Sequence, residues 1–321
     1  MGGSGLQTGE LAPLPPAARL TAAFFAWLAR RSPATRARLG AWLGRWGWRV
    51  VGRRRRIALR NLELCFPEAT PAERQTLGQV HFRALAQSIV DRSILWYGSA
   101  DQVRELVSLE GFEHIAAARE RGPVVLLAPH FIGLDAGATR LSLESTAASM
   151  YQVQSNPGFD ALFRRGRTRF NDIRLVSRRD GIRGLMRHLK AGLPVYYLPD
   201  MDFGRRGSIF VPFYGIPAAT LTAPAQMARN WSAQILPVLT FWSPETGRYH
   251  VRVEPPLAHF PGPESLAEAT ARLNRHIETW IAEAPAQYHW VHKRFKTRPY
   301  GTPDLYDPDT PLEFAPPNRK S

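Results

Sequence analysis

The feature that most constrains the fold is a short apolar run that ends just before a histidine. Val124–Leu127 has the length and the β-branched character of a buried strand, Pro129 ends it, and helical periodicity begins near Gly133. Three further β-like runs follow along the chain, at Val195–Leu198, Gln234–Phe241 and Tyr249–Val253. Because helical stretches separate the first three runs, the sequence predicts an α/β fold with a mixed or parallel central sheet flanked by helices.

The N-terminal part differs, because helical segments rich in arginine and tryptophan precede the strands. Arg38, Arg45 and Arg49 fall on one line of a predicted helix, beside an apolar stripe that contains Trp42. A basic stripe beside an aromatic stripe is typical of a helix that lies in a membrane interface. The four arginines of residues 53–56 would attract anionic lipid headgroups. Packing of these helices on the core of the domain is the alternative interpretation.

These patterns divide the chain into four segments. They are a disordered, Gly- and Pro-rich N-terminus (1–16), membrane-associated amphipathic helices (17–56), an α/β domain (57–298) and a Pro-rich C-terminal tail (299–321). The apolar run Leu20–Ala29 falls short of the roughly 20 residues that a spanning helix needs.

The charge balance of the chain indicates an acidic partner. The formal net charge is +15 and the pI is near 10.7. Nucleic acid, an anionic membrane surface and an acidic protein all fit this charge. The sequence contains no helix-turn-helix, zinc-finger or RNA-binding signature, so we expect no nucleic-acid partner. Cys65 is the only cysteine, which excludes an intrachain disulfide.

His130 and Asp135 are the candidate catalytic residues. His130 lies where a strand ends, which is where α/β folds place their ligands, and Asp135 follows within the first turn of the next helix. A histidine nitrogen can accept the proton of an attacking hydroxyl group, while a carboxylate on the other nitrogen fixes the tautomer. We therefore predict that His130 is a general base and that Asp135 is its partner. A helix-capping histidine beside a surface aspartate is the alternative.

Five other polar residues are candidate substrate-binding groups. Arg164 and Arg167 are three residues apart, on one face of a predicted helix, where they could bind phosphate or stabilise an oxyanion. Asp200 and Asp202 follow the second apolar run and could orient Arg167 or the acceptor. Arg205 could hold a phosphate just beyond that turn. A solvated basic face, a turn and a surface position are the respective alternatives.

Several blocks of this sequence resemble the late acyltransferases of bacterial lipid A biosynthesis. They are RRRRIALRNL (53–62), APHFIGLD (128–135), Asn156-Pro157 with RRGR (164–167), PDMDFG (199–204), FVPFYG (210–215) with PAAT (217–220), and QYHWVHKRFKTRP (287–299). The resemblance runs from about Leu20 to Pro299, and the last block is the most specific to this family. The HX4D spacing of His130 and Asp135 is shared by many glycerolipid acyltransferases. Many members of the lipid A family have glutamate where this chain has Asp135.

The resemblance implies an enzyme that transfers an acyl group from acyl-acyl carrier protein to a hydroxyl group of a lipid A precursor, Kdo2-lipid IVA. It implies no metal and no cofactor besides the acyl donor. No covalent acyl-enzyme is needed, because the acceptor supplies its own oxygen. The expected location is the cytoplasmic face of the bacterial inner membrane, with peripheral or monotopic attachment. The expected partners are acyl carrier protein, anionic inner-membrane lipids and the lipid A precursor.

A late basic segment has an interpretation that depends on this resemblance. Lys293, Arg294, Lys296 and Arg298 would form a patch on which the carrier protein or a lipid headgroup docks, with a solvated edge of the domain as the alternative. Acylation of another lysophospholipid or glycolipid is the near alternative to lipid A acylation. A nucleic-acid-binding protein and a catalytically inactive membrane adaptor are the alternatives of a different class.

Overall fold

The computed structural model describes residues 14–177 and 181–310 of the chain. Two predictions concern residues beyond these bounds. The predicted disordered N-terminus lies outside the described residues up to residue 13, and the predicted Pro-rich tail lies outside them from residue 311.

Four helices form the N-terminal part, namely α1 (Pro16–Ala29), α2 (Pro33–Val50), α3 (Gly52–Cys65) and α4 (Pro71–Tyr97). Local sequence fixes two of their starts. The Ser32 side chain caps α2, and Thr70 forms a reciprocal capping box with Glu73 at the start of α4. Helices α1, α2 and α3 all pack on α4. The boundary predicted between residues 56 and 57 falls inside α3.

The α/β part contains shorter helices between the strands. They are α5 (Ala100–Leu106), α6 (Glu113–Arg119), α7 (Leu134–Ser142), α8 (Pro157–Arg167), α9 (Gly181–Lys190), α10 (Ala223–Trp231) and α11 (Leu266–Glu283). A 3₁₀ turn over Pro285–Gln287 follows α11.

The described strands form one mixed sheet and one two-stranded ribbon. They are β1 (Val107–Glu110), β2 (Val124–Leu127), β3 (Ala147–Tyr151), β4 (Ile173–Ser177), β5 (Val195–Tyr197), β6 (Ser208–Phe213), β7 (Ile216–Leu221), β8 (Gln234–Trp242) and β9 (Tyr249–Val253). The sheet has the order β1-β9-β8-β2-β5-β3-β4, and only its β8–β9 pair is antiparallel. Strands β6 and β7 form the antiparallel ribbon. The predicted α/β class with a mixed, mostly parallel sheet is confirmed.

Burial on both faces of the sheet explains why strand β2 is apolar at every position. Val125 and Leu127 belong to the apolar cluster on one side of the sheet, and Val124 and Leu126 belong to the cluster on the other side. All four side chains are buried. A strand covered on both faces reads as a continuous apolar run, which is the pattern that the sequence displays.

Helices α1 and α2 expose large apolar side chains next to cations. Six of these side chains are about half exposed or more: Leu20, Phe24, Trp27, Trp42, Trp46 and Val50. Arg38, Arg45 and Arg49 are exposed on α2. No helix within residues 14–177 and 181–310 is both long enough and apolar enough to traverse a lipid bilayer. Membrane contact of these helices stays a prediction.

Candidate active site

His130 lies at the edge of the sheet where the parallel strands β2 and β5 both end. Leu127 on β2 is in register with Tyr197 on β5, so the two chains leave the sheet side by side. Three residues after each of these positions come His130 and Asp200. The Nδ1 atom of His130 is 2.6 Å from Asp200 Oδ1, and the His130 backbone N–H donates to Asp200 Oδ2 at 2.9 Å. Asp200 therefore fixes both the ring and the backbone of His130.

Asp200 is the carboxylate partner of His130, and the predicted pairing of His130 with Asp135 is wrong. Both oxygens of Asp135 instead bind arginines. Arg92 Nη2 is 2.7 Å from Asp135 Oδ2, and Arg167 Nη2 is 2.7 Å from Asp135 Oδ1. The physical reason is the topology of the sheet, because a neighbouring parallel strand brings a carboxylate closer to His130 than the first turn of α7 does.

The two carboxylates have lowered pKa values for different reasons. Burial alone would raise the pKa of Asp200, but the charge of His130 and its two hydrogen bonds outweigh burial and lower the pKa. Burial would likewise raise the pKa of Asp135, but Arg167 and Arg92 hold it well below its usual range. Both groups are therefore anionic at neutral pH.

The hydrogen-bonding pattern assigns a tautomer to His130. A carboxylate can only accept, so Nδ1 carries the hydrogen that is shared with Asp200. In neutral imidazole this leaves Nε2 as an acceptor, and no hydrogen bond to another described residue occupies it. The His130 side chain is 16% exposed, whereas the Asp200 side chain is fully buried. Nε2 is thus an accessible base on a ring that a buried anion orients.

Two glycines bring α7 close to the sheet. A Cβ atom at Gly137 would overlap Thr240 Oγ1, and one at Gly133 would lie 2.7 Å from Thr240 Cγ2. Helix α7 therefore lies directly on β8. Asp135, which lies between these glycines, is held at a fixed height above the sheet.

Two other histidines, His289 and His292, lie near His130, and burial keeps them neutral. The backbone N–H of His289 donates to the His130 carbonyl at 2.9 Å, and the two ring centroids are 6.4 Å apart. Burial lowers the pKa of His289 to about 3, with a further contribution from the charge of His130. Burial also lowers the pKa of His81 and of His292 to about 4. The two imidazoles near His130 consequently carry no charge at neutral pH.

Asp202 stabilises the loop that follows Asp200. Its Oδ2 accepts the Thr297 backbone N–H at 2.6 Å, and its Oδ1 accepts the hydroxyl of Thr297 and the backbone N–H of Gly204 at 2.8 Å each. Its own backbone N–H donates to His292 Nε2 at 3.3 Å. These contacts tie the loop after β5 to the C-terminal block, which is a structural task. A substrate contact for Asp202 stays a prediction.

The three predicted arginines occupy different surroundings. Arg167 lies at the C-terminal end of α8 and binds Asp135, while Arg164 lies one turn earlier and is half-buried. The guanidinium of Arg205 stacks on the exposed ring of Tyr300, with its carbon 3.8 Å from the ring centroid. Binding of substrate by Arg164, Arg167 and Arg205 stays a prediction.

The predicted basic patch at residues 293–298 is wrong for two of its four members. Arg294 is buried and donates to the Ala219 carbonyl and the Thr220 hydroxyl, each at 2.8 Å. Arg298 is buried and donates to the Pro217 carbonyl at 2.6 Å. Both arginines therefore stabilise strand β7 by donating hydrogen bonds to its buried oxygen atoms. Lys296 is exposed and Lys293 is half-buried.

An apolar cavity extends inward from the Asp135–Arg167 pair, between α7 and strands β3, β4 and β5. Its volume is about 90 Å³, and most of its lining is aliphatic or aromatic. Along α7 it reaches from Asp135 to Ser142, which at 1.5 Å per residue is about 10 Å. The site therefore combines a base, a charged cluster and an apolar cavity at one edge of the sheet.

Sequence reasoning missed Arg92 and misassigned the partner of His130. A signal for the second was present, because Ala128-Pro129-His130 and Leu198-Pro199-Asp200 each follow an apolar strand at the same distance. Adjacent parallel strands with such endings place the histidine next to the aspartate. Arg92 has no comparable signal, because it lies within the long helix α4 and no predicted strand ends near it in the sequence.

Comparison with known proteins gives consistent matches over most of the chain. Residues 16–297 match the family model for bacterial lipid A biosynthesis acyltransferases. The chain is 35% identical to the lipid A biosynthesis lauroyltransferase of Escherichia coli (strain K12), over 84% of this chain and 88% of that protein. It is 33% identical to the palmitoleoyltransferase of the same organism, over 84% and 87%, and 32% identical to its myristoyltransferase, over 89% and 91%.

Proposed function

Because this chain belongs to the family of bacterial lipid A biosynthesis acyltransferases, we propose that it transfers a fatty acyl group from acyl-acyl carrier protein to a hydroxyl group of Kdo2-lipid IVA or a later lipid A precursor. The family match supports acyl transfer in lipid A biosynthesis. The donor, the precursor and the roles of individual residues belong to the proposal.

The observation that carries the mechanism is the His130–Asp200 pair at the carboxyl ends of β2 and β5. Nε2 of His130 accepts the proton of the acceptor hydroxyl as its oxygen attacks the thioester carbonyl. Asp200 keeps hydrogen on Nδ1 and stabilises the imidazolium that forms. When the tetrahedral intermediate collapses, the carbon–sulfur bond breaks and His130 returns the proton to the leaving thiolate. No covalent acyl-enzyme is required.

The Arg92–Asp135–Arg167 cluster would supply positive charge to the reaction. Two guanidinium groups share one carboxylate, so the cluster carries a net positive charge next to the apolar cavity. Such a cluster favours a phosphate of the acceptor or the oxyanion of the intermediate. Asp135 then acts by holding both arginines in position and has no direct part in proton transfer.

The apolar cavity next to this cluster is suited to the fatty acyl chain. Its walls are formed by side chains such as Leu141, Met150 and Leu175, which favour burial of methylene groups. An acyl chain in this cavity would leave its thioester near Asp135, at the edge of the sheet that also presents His130.

The proposed location is the cytoplasmic face of the bacterial inner membrane, with peripheral or monotopic attachment. The exposed Trp27, Trp42 and Trp46 on α1 and α2 support this, since tryptophans accompanied by arginines are typical of interfacial helices. The lipid acceptor would then be reached from the membrane surface, and anionic lipids would attract the basic helices.

The test is an assay of purified protein with acyl carrier protein donors and Kdo2-lipid IVA, read by mass spectrometry of the lipid. His130→Ala should abolish transfer while its circular dichroism spectrum and melting temperature stay close to those of the wild type. Wild-type turnover by this variant would exclude the proposed base. A parallel reaction with a lysophospholipid acceptor separates lipid A acylation from acylation of another lipid.

A further inference from the structure

A basic groove lies between α3, the start of α4 and the segment of residues 306–308; we call it the α3 groove. Its walls contain five cationic side chains, Arg53, Arg56, Arg60, Arg74 and Lys293, against two carboxylates, Glu63 and Asp307. The groove therefore brings Arg53 and Arg56 together with Lys293, although Lys293 is more than 200 residues away in the sequence.

The cations of the α3 groove have two different roles. Arg60 pairs with Glu63 and donates to the Leu305 and Thr310 carbonyls, which fixes the wall formed by the C-terminal segment. Arg53 and Arg56 are exposed, and within the described part of the chain neither has an acidic partner. Their charges are therefore available to an external anionic group.

The surface of the groove fits an acidic protein better than a membrane. A membrane-binding surface exposes large apolar side chains beside its cations, as α1 and α2 do with Trp42 and Trp46. None of the exposed large apolar side chains lines the α3 groove, whose apolar wall residues Ile57 and Leu59 are buried or half-buried. A concave, basic and largely polar surface is complementary to the carboxylates of a soluble partner.

The α3 groove is connected to His130 by a short series of hydrogen bonds. Asn61 on α3 donates to the Trp290 and His292 carbonyls at 2.6 and 2.7 Å, and Arg54 donates to the Val291 carbonyl at 3.0 Å. The same segment begins at His289, whose backbone N–H donates to the His130 carbonyl. A partner seated in the groove would thus contact a helix that is hydrogen-bonded to the segment next to His130.

We propose that the α3 groove is the docking surface of the acidic carrier protein that presents the acyl thioester to His130. This inference rests on the donor proposed above. The carrier binds through its carboxylates to Arg53, Arg56 and Lys293, and its thioester reaches His130 past the segment that starts at His289.

The test compares two donors that carry the same acyl group, acyl carrier protein and a small N-acetylcysteamine thioester. The double variant R53E/R56E should lower kcat/KM for the carrier relative to the small thioester by about tenfold or more, through a higher KM for the carrier. In the wild type this ratio should also fall with added salt, because exposed charges are screened beyond about 8 Å at 0.15 M ionic strength. The variant should lose most of that salt dependence.

The matched control is R119E/R121E, which changes the net charge equally on an exposed part of α6 and its following turn. It should keep the wild-type ratio. An unchanged ratio in R53E/R56E would overturn the inference, and weaker binding of that variant to phosphatidylglycerol vesicles would then identify the groove as a lipid site. A wild-type enzyme that uses only the small thioester would refute the proposed donor instead.

Discussion

Two carboxylates at one edge of the sheet, the buried Asp200 and the half-buried Asp135, have opposite kinds of partner. Asp200 binds a single imidazole, whose charge can change during a reaction. Asp135 binds two guanidinium groups, whose charges are permanent. The difference suggests a division of labour in which the Asp200 pair moves a proton and the Asp135 cluster supplies a fixed field.

The largest effect expected from this comparison follows from Asp200→Asn. An amide cannot hold hydrogen on Nδ1 as the carboxylate does, so His130 would adopt the wrong tautomer and Nε2 would no longer be free to accept a proton. We expect kcat to fall about 10³–10⁴-fold, as removal of the carboxylate does in other His–Asp pairs. Steady-state kinetics with an acyl carrier protein donor would measure it.

Asp91→Asn is a suitable control for this variant. Asp91 is equally buried and accepts hydrogen bonds from Gln87 and Tyr249, but it does not contact His130. Its kcat should stay within about threefold of the wild type, because Asp91 is bonded to Gln87 and Tyr249 and does not orient the His130 ring. Equal losses in the two variants would contradict a specific role for Asp200.

The second prediction is that Asp135→Asn affects stability more than proton transfer. Without the carboxylate, Arg92 and Arg167 face each other across a neutral amide. We expect the free energy of unfolding to fall by about 3 kcal/mol, near the lower limit for a broken buried pair because the cluster is partly exposed. We expect kcat/KM to fall only about tenfold. A stable variant with the activity loss of Asp200→Asn would break the comparison.

The third prediction is that His292 and the Asp135 cluster affect stability in different ranges of pH. The pKa of His292 is lowered to about 4 by burial, whereas an unfolded histidine titrates near 6.5. The unfolded state therefore binds more protons between these values, and stability falls as the pH drops through this window. Between pH 7 and pH 5 the variant His292→Gln should lose about 1–2 kcal/mol less stability than the wild type, measured by urea denaturation.

The Asp135 cluster should respond only in stronger acid. The pKa of Asp135 is lowered by its arginines, so its contribution to the free energy of unfolding is complete above the usual carboxyl pKa of about 4 and is lost as the pH falls below it.

The result that would contradict the His292 prediction is a His292→Gln variant with the same pH dependence of stability as the wild type between pH 7 and pH 5. It would show that this imidazole is not held neutral.

The smallest effect is expected for Asp135→Glu. The longer side chain keeps the negative charge between the arginines, and the adjacent cavity gives it room. We expect kcat/KM within about threefold of the wild type and a change in stability below about 1 kcal/mol. A loss as large as that of Asp135→Asn would mean that the exact position of the carboxylate matters as much as its charge.

Most of the fold could be predicted from the sequence, because periodicity and punctuation reflect local forces. Strands β2 and β9 have the bounds that the sequence indicates, since apolar runs between turns leave little freedom. Strands β3 and β4 escaped prediction because their residues, such as Ser149 and Arg174, are partly exposed and mix polar with apolar types. Their place in the sheet depends on pairing, of β3 with β5 and of β4 with β3, and not on local propensity.

The site was only partly predictable, because its pairings are long-range. The spacing of His130 and Asp135 indicates a shared turn, but the partner of His130 is 70 residues away and depends on which strands are adjacent. Strand order is not written in local sequence. The buried tasks of Arg294 and Arg298 were hidden for the same reason, since a run of cations looks alike whether it faces water or a carbonyl group.

The close approach of α7 to Thr240 limits how this segment can vary over evolutionary time. Asp135 lies beside the apolar cavity, so the longer side chain of glutamate could be accommodated at this position. Gly133 and Gly137 have no such latitude, because a single methyl group at either position would collide with the threonine beneath. During evolution, Asp135 could therefore be replaced by another acidic residue more readily than either Gly133 or Gly137 could be replaced.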